Sequence, residues 1–457
     1  MLTTNSKKLT LIILLIFSAV FCSSLTAQVD EKNISAQTDL LLNDAIEKGI
    51  FSGTVIISNN GRQFYKRQYG YSDWNTKRQI DDNTLFNIGS LNKQFTAEMI
   101  HQLVKEKKID YENSLSRYLD LFPPEIGNKI TIRHLLEMRS GLGDYIGNPA
   151  FQKIQQTDFK PRDLLDIIKT EPLLFEPGTD RRYSNSGYVV LGAVIEKVTG
   201  KSYEENLRSR IVEPLGLKNI YYTKSQKAER PERAFGTTIN FEGTKKSTDD
   251  ISNSAPDGGI YTDTKDLITF TEAKRKNQLP SGKKSEEGFF AGGTQRWNSV
   301  IYYDKNGIAF VITANAASIA DELGKRVKSI IDGKIFQPLS LPAEMNLYKI
   351  LTEKGIGYIE NNIHEISREA GLPFDDRFLN FFGYRFLESN QIGAAIQLFA
   401  LNVKLFPNNA NCYDSLAETY LKKGDRKNAK KYYEKVLELE PDNKRVQEII
   451  NEMRTTN

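Results

Sequence analysis

Two residue types that build many extracellular and metal-dependent sites are nearly missing from this chain. Its 457 residues include two cysteines, Cys22 and Cys412, and three histidines, His101, His134 and His364. So few exclude a disulfide-stapled scaffold and any Cys/His cluster around zinc, and no cofactor or metal is expected. Excess charge of one sign is lacking as well: 62 Lys and Arg stand against 58 Asp and Glu. The net +4 falls to +2 once Lys7 and Lys8 are set aside with an amino-terminal segment expected to be removed. Such a balance leaves no electrostatic footprint for nucleic acid. What is present is ordinary for a soluble globular protein, with 39% hydrophobic and 26% charged residues, and the length implies about three units.

A single long apolar run, 9–21, follows Lys7-Lys8 and precedes small or polar residues up to Ala27. This is the layout of a secretory signal peptide with cleavage after Ala27. About 13 apolar residues fall short of the ~20 that span a bilayer. Residues 1–27 therefore read as a removed leader, and the product as exported (periplasmic or secreted) without a membrane span. Phe21 stands before Cys22, where lipid attachment would require a small residue.

At the other end Pro373, Pro407 and Pro441 recur every 34 residues. Superposing two periods pairs Ala395 with Ala429, Phe399 with Tyr433, Phe382 with Leu416 and Gly383 with Ala417. Small residues at fixed positions let two helices approach, and large ones fill the seam. Period and pattern resemble tetratricopeptide repeats, clearest at 376–409 and 410–443. Residues 343–457 are expected to be all-α helical repeats, with 343–372 a degenerate first unit or cap and 337–342 the linker. Such arrays bind proteins or peptides along a groove, or serve as packing appendages; docking on the preceding domain is expected, since about three repeats are needed for stability. The basic run of Lys422, Lys423, Arg426, Lys427, Lys430 and Lys431 reads as a solvated outer face.

The segment 28–336 alternates strand-like and helix-like stretches. Residues 54–57, Asn60-Gly61 and 63–65 read as a hairpin, since Asn-Gly suits a two-residue turn. A second hairpin, 299–303 with 308–313, flanks 304–307, and a helix is expected over 319–331. Strands at both extremes with helices between predict an α/β fold: one antiparallel sheet closed by both ends, helices on its faces and a helical lobe beside it. A cleft between the two would hold substrate.

Ser90 and Lys93 open a stretch in which Leu91, Phe95, Met99 and Leu103 recur every fourth residue. Positions three apart share a helix face, so hydroxyl and amine are neighbours at a helix N-terminus. A serine needs an adjacent base to become a nucleophile, and a lysine serves where burial lowers its pKa. The positive helix end favours a developing oxyanion. Ser-x-x-Lys alone reads first as an N-cap serine with a snorkelling lysine, and 281–284 repeats it in a polar coil.

Further motifs follow in order: Ser140-Gly141-Leu142 after 130–136, Tyr183-Ser184-Asn185 after Pro177-Gly178, and Asp257-Gly258-Gly259-Ile260-Tyr261-Thr262 with Asp266-Leu267. Together with Ser90-x-x-Lys93 they are similar to the serine β-lactamase and penicillin-binding-protein superfamily, in its class C β-lactamase-like and esterase branch. The resemblance covers roughly 40–335. It implies a β-lactamase/transpeptidase-like fold and a metal-free mechanism in which Ser90 forms an acyl-enzyme. Lys93 and Tyr183 would share the proton, Tyr183 passing it to the leaving group, and Asn185 would face the substrate and Lys93. The oxyanion would lie between the Ser90 N–H and one from a third-motif strand.

That strand is Phe289-Phe290-Ala291-Gly292-Gly293-Thr294. Aligned on its glycines, it keeps Gly292, Gly293 and Thr294 as substrate-side residues, with Gly293 the oxyanion donor. The Lys or His of the family falls on Phe290, which cannot hold a carboxylate. An esterase, amidase or peptidase-like hydrolase of an uncharged carbonyl is therefore expected ahead of a β-lactamase or D,D-peptidase. An inactive β-lactamase-fold binding or scaffold protein is the other reading. Trp297, just beyond the strand, and Trp74 are candidates to line the cleft, whereas His134 reads as a packed residue.

Overall fold

The computed structural model describes residues 29–455 apart from 156, 250, 252, 280–286, 295 and 317–318. The leader expected at 1–27 and the second Ser-x-x-Lys at 281–284 lie outside the described residues. Asn60-Gly61 joins β1 (Gly53–Asn59) to β2 (Arg62–Tyr69), with φ of 52° and 88° at the two turn residues. Positive φ at both gives the turn whose twist matches the flanking strands. β3 (Gly288–Gly293), β4 (Asn298–Tyr303) and β5 (Ile308–Ala314) come from much later in the chain. All five form one sheet in the order β3-β4-β5-β1-β2, each pair antiparallel. β1 and β5 pair from Gly53 opposite Ala314 to Asn59 opposite Ile308, so the two extremes do close the sheet.

Successive side chains of a strand point to opposite faces. Ile56, Ile301 and Val311 enter a front core, whereas Val55, Ile57, Val300, Phe310 and Ile312 enter a rear one. Burial on both faces explains the unbroken apolar runs of β1 and β5. On the rear, α1 (Glu31–Glu47) buries Leu41, Leu42 and Ala45. The front lobe is built on α2 (Asn92–Lys105), α3 (Asn185–Thr199) and α4 (Thr264–Arg275). Phe95 of α2 stacks on Phe270 of α4 with ring centroids 3.9 Å apart. α3 is apolar nearly all round and lies at the centre of the lobe, ending on Gly200 in the left-handed conformation. α5 (Ile319–Ile331) returns to the rear face on the residues its periodicity predicts.

Seven helices follow: α6 (Ala343–Lys354), α7 (Ile356–Glu369), α8 (Asp376–Glu388), α9 (Ile392–Leu405), α10 (Ala410–Lys422), α11 (Arg426–Leu439) and α12 (Lys444–Thr455). The 34-residue register has a steric basis. A Cβ on Gly383 of α8 would stand 2.6 Å from the Phe399 ring of α9, and the corresponding Ala417 and Tyr433 are buried. The repeats do not stand apart from the sheet, because the rear core runs from α1 through the strands into α6–α10 as one cluster. A hairpin of Gly236–Ile239 with Lys245–Thr248 carries Phe241 at its turn. Its ring centroid lies 4.7 Å from that of Tyr348 and 4.6 Å from that of Phe386, and Gln391 donates to Glu242 beside it. Among the described residues no helix is long and apolar enough to cross a membrane.

Candidate active site

Ser90 lies in a 3-10 turn, Gly89–Leu91, between the short strand Phe86–Asn87 and α2. Gly89 has φ 51°, and a Cβ on it would stand 2.6 Å from Gly293 N, so both conformation and contact require glycine there. One turn on, the buried Lys93 directs its ammonium at three acceptors. Nζ donates to Ser90 Oγ at 3.0 Å, Asn185 Oδ1 at 2.6 Å and the Asp257 carbonyl at 2.7 Å. Three acceptors match the three hydrogens of an ammonium. From the opposite side Tyr183 OH donates to Ser90 Oγ at 2.7 Å, and Lys93 Nζ lies 5.0 Å from the Tyr183 ring centroid. Lys93 is 3% exposed and Tyr183 50%, so one partner of the serine is sealed and the other meets solvent.

Local structure fixes each group. Ser184 caps α3, its Oγ accepting from Gly187 N and donating to the Gly143 carbonyl, which makes Asn185 the first helical residue. Asn92 and Thr96, flanking Lys93 on α2, donate to the carbonyls of Ala255 at 2.7 Å and Pro256 at 2.5 Å. Three successive carbonyls, 255 to 257, are thus pinned to one helix face.

A further set of residues, which sequence reasoning gave no role, stands behind these groups. Asn185 Nδ2 donates to Asp144 Oδ2 at 2.8 Å, and Tyr145 OH to Asp257 Oδ2 at 3.1 Å. Burial pushes the Asp257 carboxyl above the usual carboxylate range, against the opposing pull of the Lys93 charge. Burial, then the charge of Asp257, raises the Tyr145 hydroxyl well above that of a free phenol. The signals available were an acid inside the glycine-rich stretch 255–260 and an Asp-Tyr pair directly after Gly143.

β3 runs along Ser90. A Cβ on Gly292 would stand 2.5 Å from Leu91 N and 2.9 Å from Ser90 N. Phe290 packs, half-buried, on the front core, with Lys274 Nζ 5.9 Å from its ring centroid. Thr294 lies just past the strand, its Oγ1 accepting from Arg296 N and its amide donating to the Trp297 carbonyl. Trp297 is buried against Gly236, and Lys77 and Lys245 lie over the Trp74 ring. His134 exchanges hydrogen bonds with Thr131 as a helix cap. Among the described residues no three His, Cys, Asp or Glu side chains converge in a metal-binding arrangement.

A family model described as Beta-lactamase matches residues 31–325, and one described as tetratricopeptide repeat matches 410–443. Penicillin-binding protein 4* of Bacillus subtilis is 32% identical over 261 residues, covering 53% of this chain and 56% of that protein. Teichoic acid D-alanine hydrolase of Staphylococcus aureus is 30% identical over 181 residues, covering 40% of this chain and 43% of that one. The chain thus spans about half the length of these relatives. Among solved structures, D-amino acid amidase from Ochrobactrum anthropi superposes with a TM-score of 0.56 at 21% identity, covering 66% of this chain and 99% of that one. A penicillin-binding protein from Bacillus halodurans gives 0.57 at 22%, covering 64% and 98%. The likeness to these structures is one of fold.

Proposed function

Because this chain belongs to the Beta-lactamase family, whose members are serine hydrolases, we propose that it is an exported serine hydrolase that cleaves an ester or amide carbonyl through an acyl-enzyme on Ser90. One observation carries this reading: Ser90 Oγ is hydrogen-bonded at once to Lys93 Nζ and Tyr183 OH. Once that pair has given up one proton to solvent, it takes the serine proton and frees Oγ to attack the carbonyl carbon. The carbonyl oxygen, now negative, lies between the amides of Ser90 and Gly293, next to the N-terminus of α2. Tyr183, the solvent-facing partner, returns a proton to the departing alcohol or amine. A water, deprotonated by the same pair, then attacks the acyl carbon and releases Ser90. Asn185 holds Lys93 from the side and is itself held by Asp144.

Phe290 supports a substrate without a carboxylate beside the scissile bond, since the third strand offers no cation there. That places neutral esters and amides ahead of penicillins and peptides ending in D-alanine. The names of the relatives, a D-alanine hydrolase and a D-amino acid amidase among them, support hydrolysis of an acyl derivative without fixing the acyl group. The repeats are assigned to binding a protein or peptide partner. Phe290 also supports the opposing reading, an inactive scaffold, and one measurement separates the two. A fluorophosphonate probe should add once to the chain from residue 28 onward and not to Ser90→Ala, read as intact mass; no adduct on either would favour the scaffold.

A further inference from the structure

The carboxyl of Asp257 has no place in the steps above. It is buried, Oδ2 accepts from Tyr145 OH, and Oδ1 has no hydrogen-bond partner beyond its own residue. A buried acid with so few donors carries its charge only beside a counter-charge. The groups that face it come from four elements: Lys93 on α2, Asp144 and Tyr145 on the loop after Gly143, Tyr203 on the short helix Tyr203–Leu207, and Tyr222 beyond the strand Ile220–Tyr221. Lys93 is the one cation in this set. The three phenols stay neutral near neutral pH, since burial raises each of them, and Asp144 adds a second negative charge.

Backbone and side chain of Asp257 therefore act on the same ammonium. Its carbonyl accepts from Lys93 Nζ at 2.7 Å, and its carboxyl lies in the same buried space. Resting on the reading of Ser90 as nucleophile, we infer that Asp257 is a positioning residue that holds the charge on Lys93 and so sets the pH at which Ser90 becomes reactive. A negative charge beside Lys93 makes loss of a proton from the Lys93–Tyr183 pair harder, and reactivity then rises only at higher pH. A carboxyl that merely anchored Tyr145 would bond equally well in its neutral form and leave that pH unmoved. Tyr145 and the pinned carbonyls 255 to 257 keep the carboxyl in place, so charge and geometry are separable by mutation.

The test is the pH dependence of the second-order rate of fluorophosphonate labelling at Ser90, on the chain with its repeats intact, for wild type, Asp257→Asn and Asp257→Ala. The alanine covers the case in which a buried amide prevents folding, which thermal unfolding would reveal. In either variant the acid-side midpoint should move down by about one pH unit. An unchanged or raised midpoint, with or without a slower plateau, overturns the inference while leaving the hydrolase reading intact. Absence of labelling in wild type at every pH overturns both.

Discussion

Gly292 and Ser90 are in backbone contact: a Cβ on the glycine would stand 2.9 Å from the Ser90 amide nitrogen. The neighbouring atoms are main chain and cannot swing aside. Gly292→Ala should therefore push β3 off the nucleophile and separate the two amides proposed to hold the oxyanion. Losing one such donor costs about 10²–10³ in rate. Fluorophosphonate labelling should slow by at least about 100-fold, with little change in circular dichroism. Labelling at the wild-type rate would remove β3 from the oxyanion site.

Restoring a cation on the third strand should change which substrates are accepted. Phe290→Lys is expected to raise the ratio of kcat/KM for a penicillin to that for p-nitrophenyl acetate by about 10-fold, the value of one charge-assisted hydrogen bond. Lys274, near the Phe290 ring, opposes a second ammonium, so Phe290→His is the companion variant. A ratio unmoved in both would place carboxylate selectivity elsewhere.

The rear core joins sheet and repeats, so heating should unfold them together. Phe241→Ala removes the ring packed against both Tyr348 and Phe386. Its loss should cost about 3 kcal/mol and split a single calorimetric transition into two. A single transition at unchanged temperature would mean the hairpin tip contributes nothing to the junction.

His101 should make the protein acid-sensitive. Burial, helped by the positive charge of Lys274, lowers its pKa to about 4, and its Nδ1 pairs with Tyr111 OH at 2.7 Å. The unfolded chain takes up this proton near pH 6.5 and the folded one only near 4. The stability it contributes is full above 6.5 and is lost as pH falls toward 4. Buried Glu98, whose carboxyl is raised by burial, works in the opposite direction in the same lobe. His101→Phe should flatten the fall in urea midpoint between pH 6.5 and 4; an identical slope would show that His101 is not held neutral.

Both hairpins, helix 319–331 and the 34-residue repeat were legible because each rests on a local signal: Asn-Gly turns between short apolar runs, a helical period, or a recurring proline. Ser90 and Lys93 were legible for the same reason, being three apart across the 3-10 turn that leads into α2. The contact between Lys93 and Asn185 joins residues 92 apart and was reachable only through the resemblance. Asp144, Tyr145 and Asp257 acquire their roles from burial, which no spacing encodes. Phe241 was equally silent. Within Asn240-Phe241-Glu242-Gly243 it looks like an apolar residue in a polar turn, and its partners lie more than 100 residues on.

The hairpin that carries Phe241 also reaches the end of β3. A Cβ on Gly236, at its base, would stand 2.6 Å from the Trp297 indole, and the Trp297 carbonyl receives the amide of Thr294 at the end of β3. An unbroken chain of packed groups therefore runs from α6 and α8 to the strand that bears Gly293. The segment 337–342 is a seam in the sequence and not in the molecule. Cutting there to isolate the front domain would bare the rear of the sheet, leave a phenyl ring in water and remove the buttress behind the strand proposed to hold the oxyanion.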